Sequence, residues 1–186
     1  TDLRKSHAAD LTPRNQRDWA VCQIGAREHY AVARALQGQG RLCCLLTDFW
    51  CPPENWMGSL SALGRLRDRY HPELIDASVR SPTTSFFFEE TASRLKRLSG
   101  WDRIMHRNRW FQLFARRELE QRANAINHIF AYSYAAGDIF VEAKRRGVTT
   151  VLGQIDPGPE EERIVAREHE RYGDVKSMWR PAPATY

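Results

Sequence analysis

The sequence predicts an α/β fold: one doubly wound, mostly parallel sheet of about five strands with helices on both faces. Three observations point there. Short apolar runs rich in strand formers recur along the chain, among them WAVCQI, RLCCLLTD, NHIFAYS and VTTVLGQID. Segments with apolar residues at helical spacing lie between them, and alternation of the two periods marks βαβ units. The length, 186 residues, suits one domain with one main core and leaves no room for two full ones.

Residues 1–18 are polar, carry Pro13 and show no period, so they read as a lead-in. The first strand begins at Trp19 and ends at Gly25; AREHYAVARALQ then carries apolar residues at helix spacing up to Gly38 and Gly40. RLCCLLTD, residues 41–48, is apolar without alternation, as suits a parallel strand buried on both faces. Pro52 and Pro53 make FWCPPENWMG a loop, and SLSALGRLRDRY after it is a short helix bounded by Pro72. A third, weaker strand is expected within residues 74–80. Thr83 or Thr84 caps the next helix, which runs through Leu95 and Leu98, with FFF at 86–88 ambiguous between helix and strand.

Gly100 opens a second helix whose Trp101, Ile104, Met105, Phe111, Phe114 and Ala115 lie near one face, with Arg103, Arg107, Arg109, Arg116 and Arg117 elsewhere. Residues 127–133 form a strand, YAAGDIFVEAKRR a helix buried along Ala136, Ile139, Phe140 and Ala143, and residues 148–156 another strand. Lys144, Arg145 and Arg146 sit at that helix's carboxyl end, where its dipole favours positive charge. PGPEEERIVAREHERY begins with proline and three glutamates, as a helix start should, and a proline-containing tail follows from residue 173. The main domain is thus residues 19–172, of Rossmann-like type.

Composition narrows the function. With 42% apolar and 27% charged residues a disordered chain is excluded. No run approaches the roughly 18 apolar residues of a spanning helix, and the polar N-terminus is unlike a signal peptide, so a cytoplasmic protein is expected. Cys22, Cys43, Cys44 and Cys51 contain no Cys-x-x-Cys pair, and Cys43 and Cys44 should point to opposite faces of their strand; reduced core residues are expected, and no metal site. A net charge of +5 favours acidic partners: phosphate-bearing substrates, nucleic acid or anionic lipid.

Ligands of such sheets bind beyond the carboxyl ends of the strands, which selects the residues that matter. Gly25 permits a close turn, and the helix start at Ala26, with Arg27 and His29, offers donors to an anion. Asp48 and Trp50 follow the second strand; Tyr132, Ser133 and Tyr134 follow the fourth; Gln154 and Asp156 follow the fifth. Singly each has a plain structural role, Asp156 starting a helix and Ser133 capping one. Together they converge on one rim, where hydroxyl hydrogen bonds and aromatic stacking suit a sugar. One glycine falls short of a dinucleotide fingerprint, and neither a phosphate-cradling Gly-x-x-x-x-Gly-Lys-Ser/Thr nor a His-Glu-x-x-His spacing occurs.

The blocks QIGAREHYAVARAL, LLTDFW and FAYSYAAGDIFVEAKRRGVTTVLGQIDPGPEEERIVAREHERY together resemble the amino-terminal domain of bacterial family 4 glycosyltransferases, over about residues 19–172. The resemblance implies a type B fold, in which this domain binds the acceptor and an absent second, carboxyl-terminal Rossmann-like domain binds the sugar nucleotide. It implies transfer of a sugar from a nucleotide donor to an acceptor hydroxyl, with no metal or cofactor, by a chain expected to be inactive alone. Gly25, Ala26 and Arg27 would face the donor phosphates and the acceptor, with His29 just inside the following helix. Tyr132, Ser133 and Tyr134 occupy a strand end where many members place a histidine, and Gln154 with Asp156 the next one. Asp156 and Tyr134 are the candidates for catalysis; Asp48 and Trp50 complete the substrate site. By its own residues the basic, aromatic helix at 101–117 reads either as a contact with the inner face of the membrane or as a helix covering the sheet with its arginines in water, and no nucleic-acid partner is expected. Two rival readings remain: a non-catalytic Rossmann-like binding module, and a basic interaction domain for anionic membrane or nucleic acid.

Overall fold

The computed structural model describes residues 17–52, 68–155, 158–173 and 181. Five strands, β1 (Trp19–Gln23), β2 (Leu42–Thr47), β3 (Val79–Arg80), β4 (His128–Tyr132) and β5 (Thr149–Gly153), pair in parallel throughout, in the order β3-β2-β1-β4-β5. Five helices accompany them: α1 (Ala31–Gly38), α2 (Thr83–Leu95), α3 (Gly100–Glu120), α4 (Ser133–Arg145) and α5 (Pro159–Arg171). This is the doubly wound, Rossmann-like arrangement that the alternating periods predict. The order runs outward from β1 to β3, then returns through α2 and α3 to place β4 on the other side of β1.

The two faces of the sheet carry separate cores, set by the period-2 alternation of the strands. Ala20, Cys22, Cys44, Leu46, Ile129 and Ala131 meet Phe111, Ala115 and Leu119 of α3 and Ala135, Ala136, Ile139 and Ala143 of α4. Val21, Leu42, Leu45, Phe130 and Tyr132 meet Tyr30, Ala33 and Leu74 on the opposite face. A third, small cluster of Phe49, Cys51 and Phe86 ties the exit of β2 to α2.

Between Trp19 and Ala20 the register of β1 on β2 shifts, so that their partners are Leu42 and Cys44 and one residue of β2 is extra. The consequence corrects the expectation for the adjacent cysteines. A bulge interrupts the alternation, and Cys43 and Cys44 both pack against the core shared with α3 and α4. All four cysteines are free thiols; Cys22, Cys44 and Cys51 are buried and Cys43 half-buried.

Other boundaries also move. The helix expected from Ala26 begins at Ala31, because Glu28, His29 and Tyr30 take left-handed backbone angles (φ 50°, 48° and 60°). The third strand shrinks to Val79–Arg80 behind a 3-10 turn at Pro72–Leu74. FFF is helical, with Phe86 buried. Pro82 rather than a threonine precedes α2; the Thr83 hydroxyl instead meets Ser81 Oγ at 2.7 Å. In α3 the buried stripe is Asn108, Phe111, Gln112, Ala115 and Leu119, a rotation from the face expected. Residues 59–67 of the helix expected at 59–70, and residues 53–58 of the loop before it, lie outside the described residues; Asp68 and Arg69 form a short 3-10 turn.

β5 closes one edge of the sheet, and its Gly153 is a packing requirement. A Cβ there would lie 2.6 Å from Phe130 Cζ and 2.7 Å from Tyr132 Cδ1, where those rings meet edge to face with centroids 5.0 Å apart. Among the described residues no helix is long and apolar enough to cross a membrane.

Candidate functional site

The reversal of strand order between β1 and β4 opens a crevice beyond their carboxyl ends, where open α/β sheets take ligands. A cleft of about 260 Å³ lies there. Arg27, Arg107, Asn108, Tyr132 and Tyr134 supply its polar wall, and Ile24, Ile104, Ala135 and Ile155 its apolar one. Arg27 comes from the loop after β1, Arg107 and Asn108 from α3, and the tyrosines from the junction of β4 with α4.

Asp48, just past β2, organises the floor. It is fully buried, and its carboxylate accepts from Gly25 N–H (2.8 Å), from Arg69 Nη1 (2.8 and 3.0 Å) and from Arg107 Nη2. Burial by itself pushes the carboxyl up; the Arg69 and Arg107 charges, then the Gly25 N–H, outweigh that and hold it below the ordinary carboxylate range. An anionic Asp48 thus fixes two guanidiniums whose outer parts reach solvent. Gly25 is favoured beside it because its φ is +81°, a conformation that other residues adopt only at a cost.

Within the loop from Gly25 to Tyr30, Glu28, His29 and Tyr30 take left-handed angles that L-residues adopt at a cost of about 1 kcal/mol or more each. Three contacts hold it. Gln23 Nε2 donates to the Gly25 carbonyl at 2.8 Å, the Tyr132 hydroxyl donates to Glu28 Oε2 at 3.0 Å, and Tyr30 is fully buried, edge-on to Trp50. Burial, and then the Glu28 carboxylate, pushes the Tyr132 phenol up to about 12, so it remains a donor at neutral pH. Arg27 lies with its guanidinium carbon 6.0 Å from the centre of the Tyr132 ring. Two buried polar atoms beneath this region, Gln23 Oε1 and Arg107 Nε, have no hydrogen-bond partner among the described residues.

The sequence-predicted residues divide accordingly. Arg27, Tyr132 and Tyr134 come together at the cleft, and Gly25 lies beside Asp48 and Arg69. Ala26 packs against the core on the α1 face, His29 points to solvent, and Ser133 is the first residue of α4 rather than its cap. Asp48 lies beneath the cleft, engaged by its arginines. Trp50 packs on Tyr30 and Tyr70. Gln154 is exposed beyond β5, and Asp156 falls outside the described residues. Sequence reasoning missed Gln23, Glu28, Arg69, Arg107 and Asn108. In the sequence Arg107 is one of five arginines off the apolar face of its helix, and its ion pair spans 59 residues.

A larger concavity, about 480 Å³, lies at the opposite end of the sheet beside Asn124, Asn127, His128, Arg146 and Thr149. It faces the carboxyl terminus of α4, the negative end of the helix dipole, where the Ala143 and Lys144 carbonyls already accept from Arg146, Gly147 and Val148. The cleft at the β1/β4 reversal is the better ligand site. Among the described residues no group of three or more His, Cys, Asp or Glu side chains is placed to hold a metal ion. Compared with known proteins, the chain matches no family model, no curated protein and no solved structure.

Proposed function

We propose that the chain is the acceptor-side domain of a glycosyltransferase, which moves a sugar from a nucleotide donor to an acceptor hydroxyl. The observation that carries this reading is the cleft at the β1/β4 reversal, where the guanidiniums of Arg27 and Arg107 stand beside the Tyr132 and Tyr134 rings and an apolar wall. Sugars bind through hydroxyl hydrogen bonds and aromatic faces, and a departing diphosphate is stabilised by fixed cationic donors. Arg107 is fixed by Asp48, so its charge needs little reorganisation when the phosphates gain charge. The likeness of the β1, β4 and β5 segments to bacterial family 4 glycosyltransferases supports the same reading.

Such enzymes complete the site with a second nucleotide-binding domain, so the test compares this chain with the full product of its gene. Each is incubated with a panel of nucleotide sugars, and nucleoside diphosphate release is measured with and without sugar and lipid acceptors. Acceptor-dependent release by the full product, lost on Arg107→Ala and reduced on Tyr134→Phe, supports the proposal. Release independent of both substitutions, or none with any donor, contradicts it.

A second reading, a Rossmann-like module that binds a nucleotide or sugar without catalysis, is favoured by one observation. Asp48 is saturated by its arginines and buried, so the carboxylate at the floor of the cleft is not free to act as a base. Binding without acceptor-dependent release by the full gene product selects that reading.

A further inference from the structure

The buried stripe of α3 carries two side-chain amides, Asn108 and Gln112, one turn apart among Phe111, Ala115 and Leu119. Asn108 is 8% and Gln112 9% exposed. An amide so placed costs stability unless it is hydrogen-bonded, and asparagine is also a weaker helix former than leucine. For Gln112 the fold supplies a partner: its Oε1 accepts from Asp138 N–H of α4 at 2.6 Å. The Asn108 amide makes no hydrogen bond among the described residues, and its side chain lines the cleft at the β1/β4 reversal. The polarity of Gln112 thus serves the fold, whereas that of Asn108 has its use only in the cleft.

We infer that Asn108 selects the ligand of the cleft by bonding two neighbouring hydroxyls of a sugar ring, its carbonyl accepting from one and its NH2 group donating to the other. The inference rests on the reading of the cleft as a sugar site and adds the residue that distinguishes one sugar from another. An amide sets an acceptor and a donor side by side, which adjacent hydroxyls complement. A carboxylate or phosphate on Asn108 would use the NH2 group alone and leave the carbonyl bare, and a cationic ligand would meet Arg27 and Arg107. Ile104, one turn before Asn108, stands with Ile24 and Ile155 as an apolar surface for the C–H face of the ring. Arg107, next to Asn108 in the chain, is bound to Asp48, so this turn of α3 is anchored before a ligand arrives.

The test is NMR titration of the isotope-labelled full gene product with the methyl glycosides of glucose, mannose, galactose and xylose. It continues with deoxy analogues of the one bound most tightly, each lacking one ring hydroxyl. At least one glycoside is expected to shift the Asn108 side-chain amide signals, which are assigned by their loss in Asn108→Leu. That variant, of similar volume, should bind the glycoside about tenfold more weakly. In the parent, two analogues lacking adjacent hydroxyls should each bind about fivefold more weakly than the glycoside; in Asn108→Leu the same deletions should cost nothing. Circular dichroism melts of the 186-residue chain should give Asn108→Leu a Tm equal to or above the parent's, because an unpaired amide leaves an apolar stripe. The inference is overturned if no glycoside moves the Asn108 signals, if Asn108→Leu binds as the parent does, or if the deoxy losses persist in the variant. A Tm lowered by more than about 4 °C overturns it too, since the amide would then serve the fold. Acceptor-dependent diphosphate release that ignores Asn108→Leu sinks this inference and leaves the transferase reading standing. Glycosides that move the Asn108 signals in a protein that releases no diphosphate from any donor do the reverse.

Discussion

Replacing Asp48 by Asn tests whether one buried carboxylate holds the floor of the cleft. The native side chain is fully buried and receives Gly25 N–H and two guanidiniums. An amide keeps one acceptor, turns N–H groups toward the guanidiniums and leaves two cations without their counter-charge. Breaking a buried pair costs about 3–5 kcal/mol; Arg69 and Arg107 are 20% and 30% exposed and regain some water, so the expected loss is about 2–3 kcal/mol. At about 2–4 °C per kcal/mol for a chain of this size, Tm falls by roughly 4–12 °C. The assay is urea and thermal unfolding of parent and variant from pH 8 to pH 3. Because the folded carboxyl lies below its unfolded value, its stabilisation is complete above about pH 4 and is lost as pH falls through the folded value. The stability gap between parent and variant should therefore be flat from pH 8 to about 5 and narrow in acid. A gap under about 0.5 kcal/mol at pH 7, or one that does not narrow, refutes the role given to Asp48.

Gly153→Ala places a methyl 2.6 Å from the Phe130 ring and should destabilise by about 1–3 kcal/mol in urea unfolding; a neutral result would mean that the Phe130–Tyr132 pair shifts freely. Arg27→Ala should leave Tm unchanged, because the residue is exposed, yet weaken calorimetric binding of a nucleotide sugar by the full gene product about tenfold or more, through loss of a charge-assisted hydrogen bond. Cys43, half-buried, should be the thiol that iodoacetamide labels first: a hydrogen bond from Cys44 holds it below the ordinary thiol range, so its labelling should persist at lower pH than that of a free thiol. Buried Cys22, pushed up to about 12, should stay unlabelled by mass spectrometry until the chain unfolds.

The strands were legible because a parallel strand buried on both faces must be continuously apolar; Leu42, Cys44, Leu45 and Leu46 announce β2 without any structure. The cleft followed from the same source, since alternation fixes a parallel sheet and the sheet fixes the end at which ligands bind. Three features were hidden for different reasons. The left-handed turn at Glu28–Tyr30 contains no glycine or asparagine, the residues that normally signal it. It is imposed from outside, by burial of Tyr30 and by the Tyr132–Glu28 hydrogen bond across 104 residues. The bulge at Cys43 leaves the apolar run of β2 unchanged, so periodicity cannot reveal it. Arg107 sits where a helical wheel shows only one arginine among five, and only the packing of α3 over Asp48 singles it out.

The measurement that bears most directly on the cleft as the ligand site is amide chemical-shift mapping of the isotope-labelled full gene product during titration with a nucleotide sugar and with simple glycoside acceptors. Perturbations gathered at residues 24–27, 104–108 and 132–135 are the expected result, diminished in the Arg27→Ala protein. Perturbations gathered instead at residues 123–128 and 146–149, at the amino ends of the strands, or none near the β1/β4 reversal with any ligand, would contradict the account.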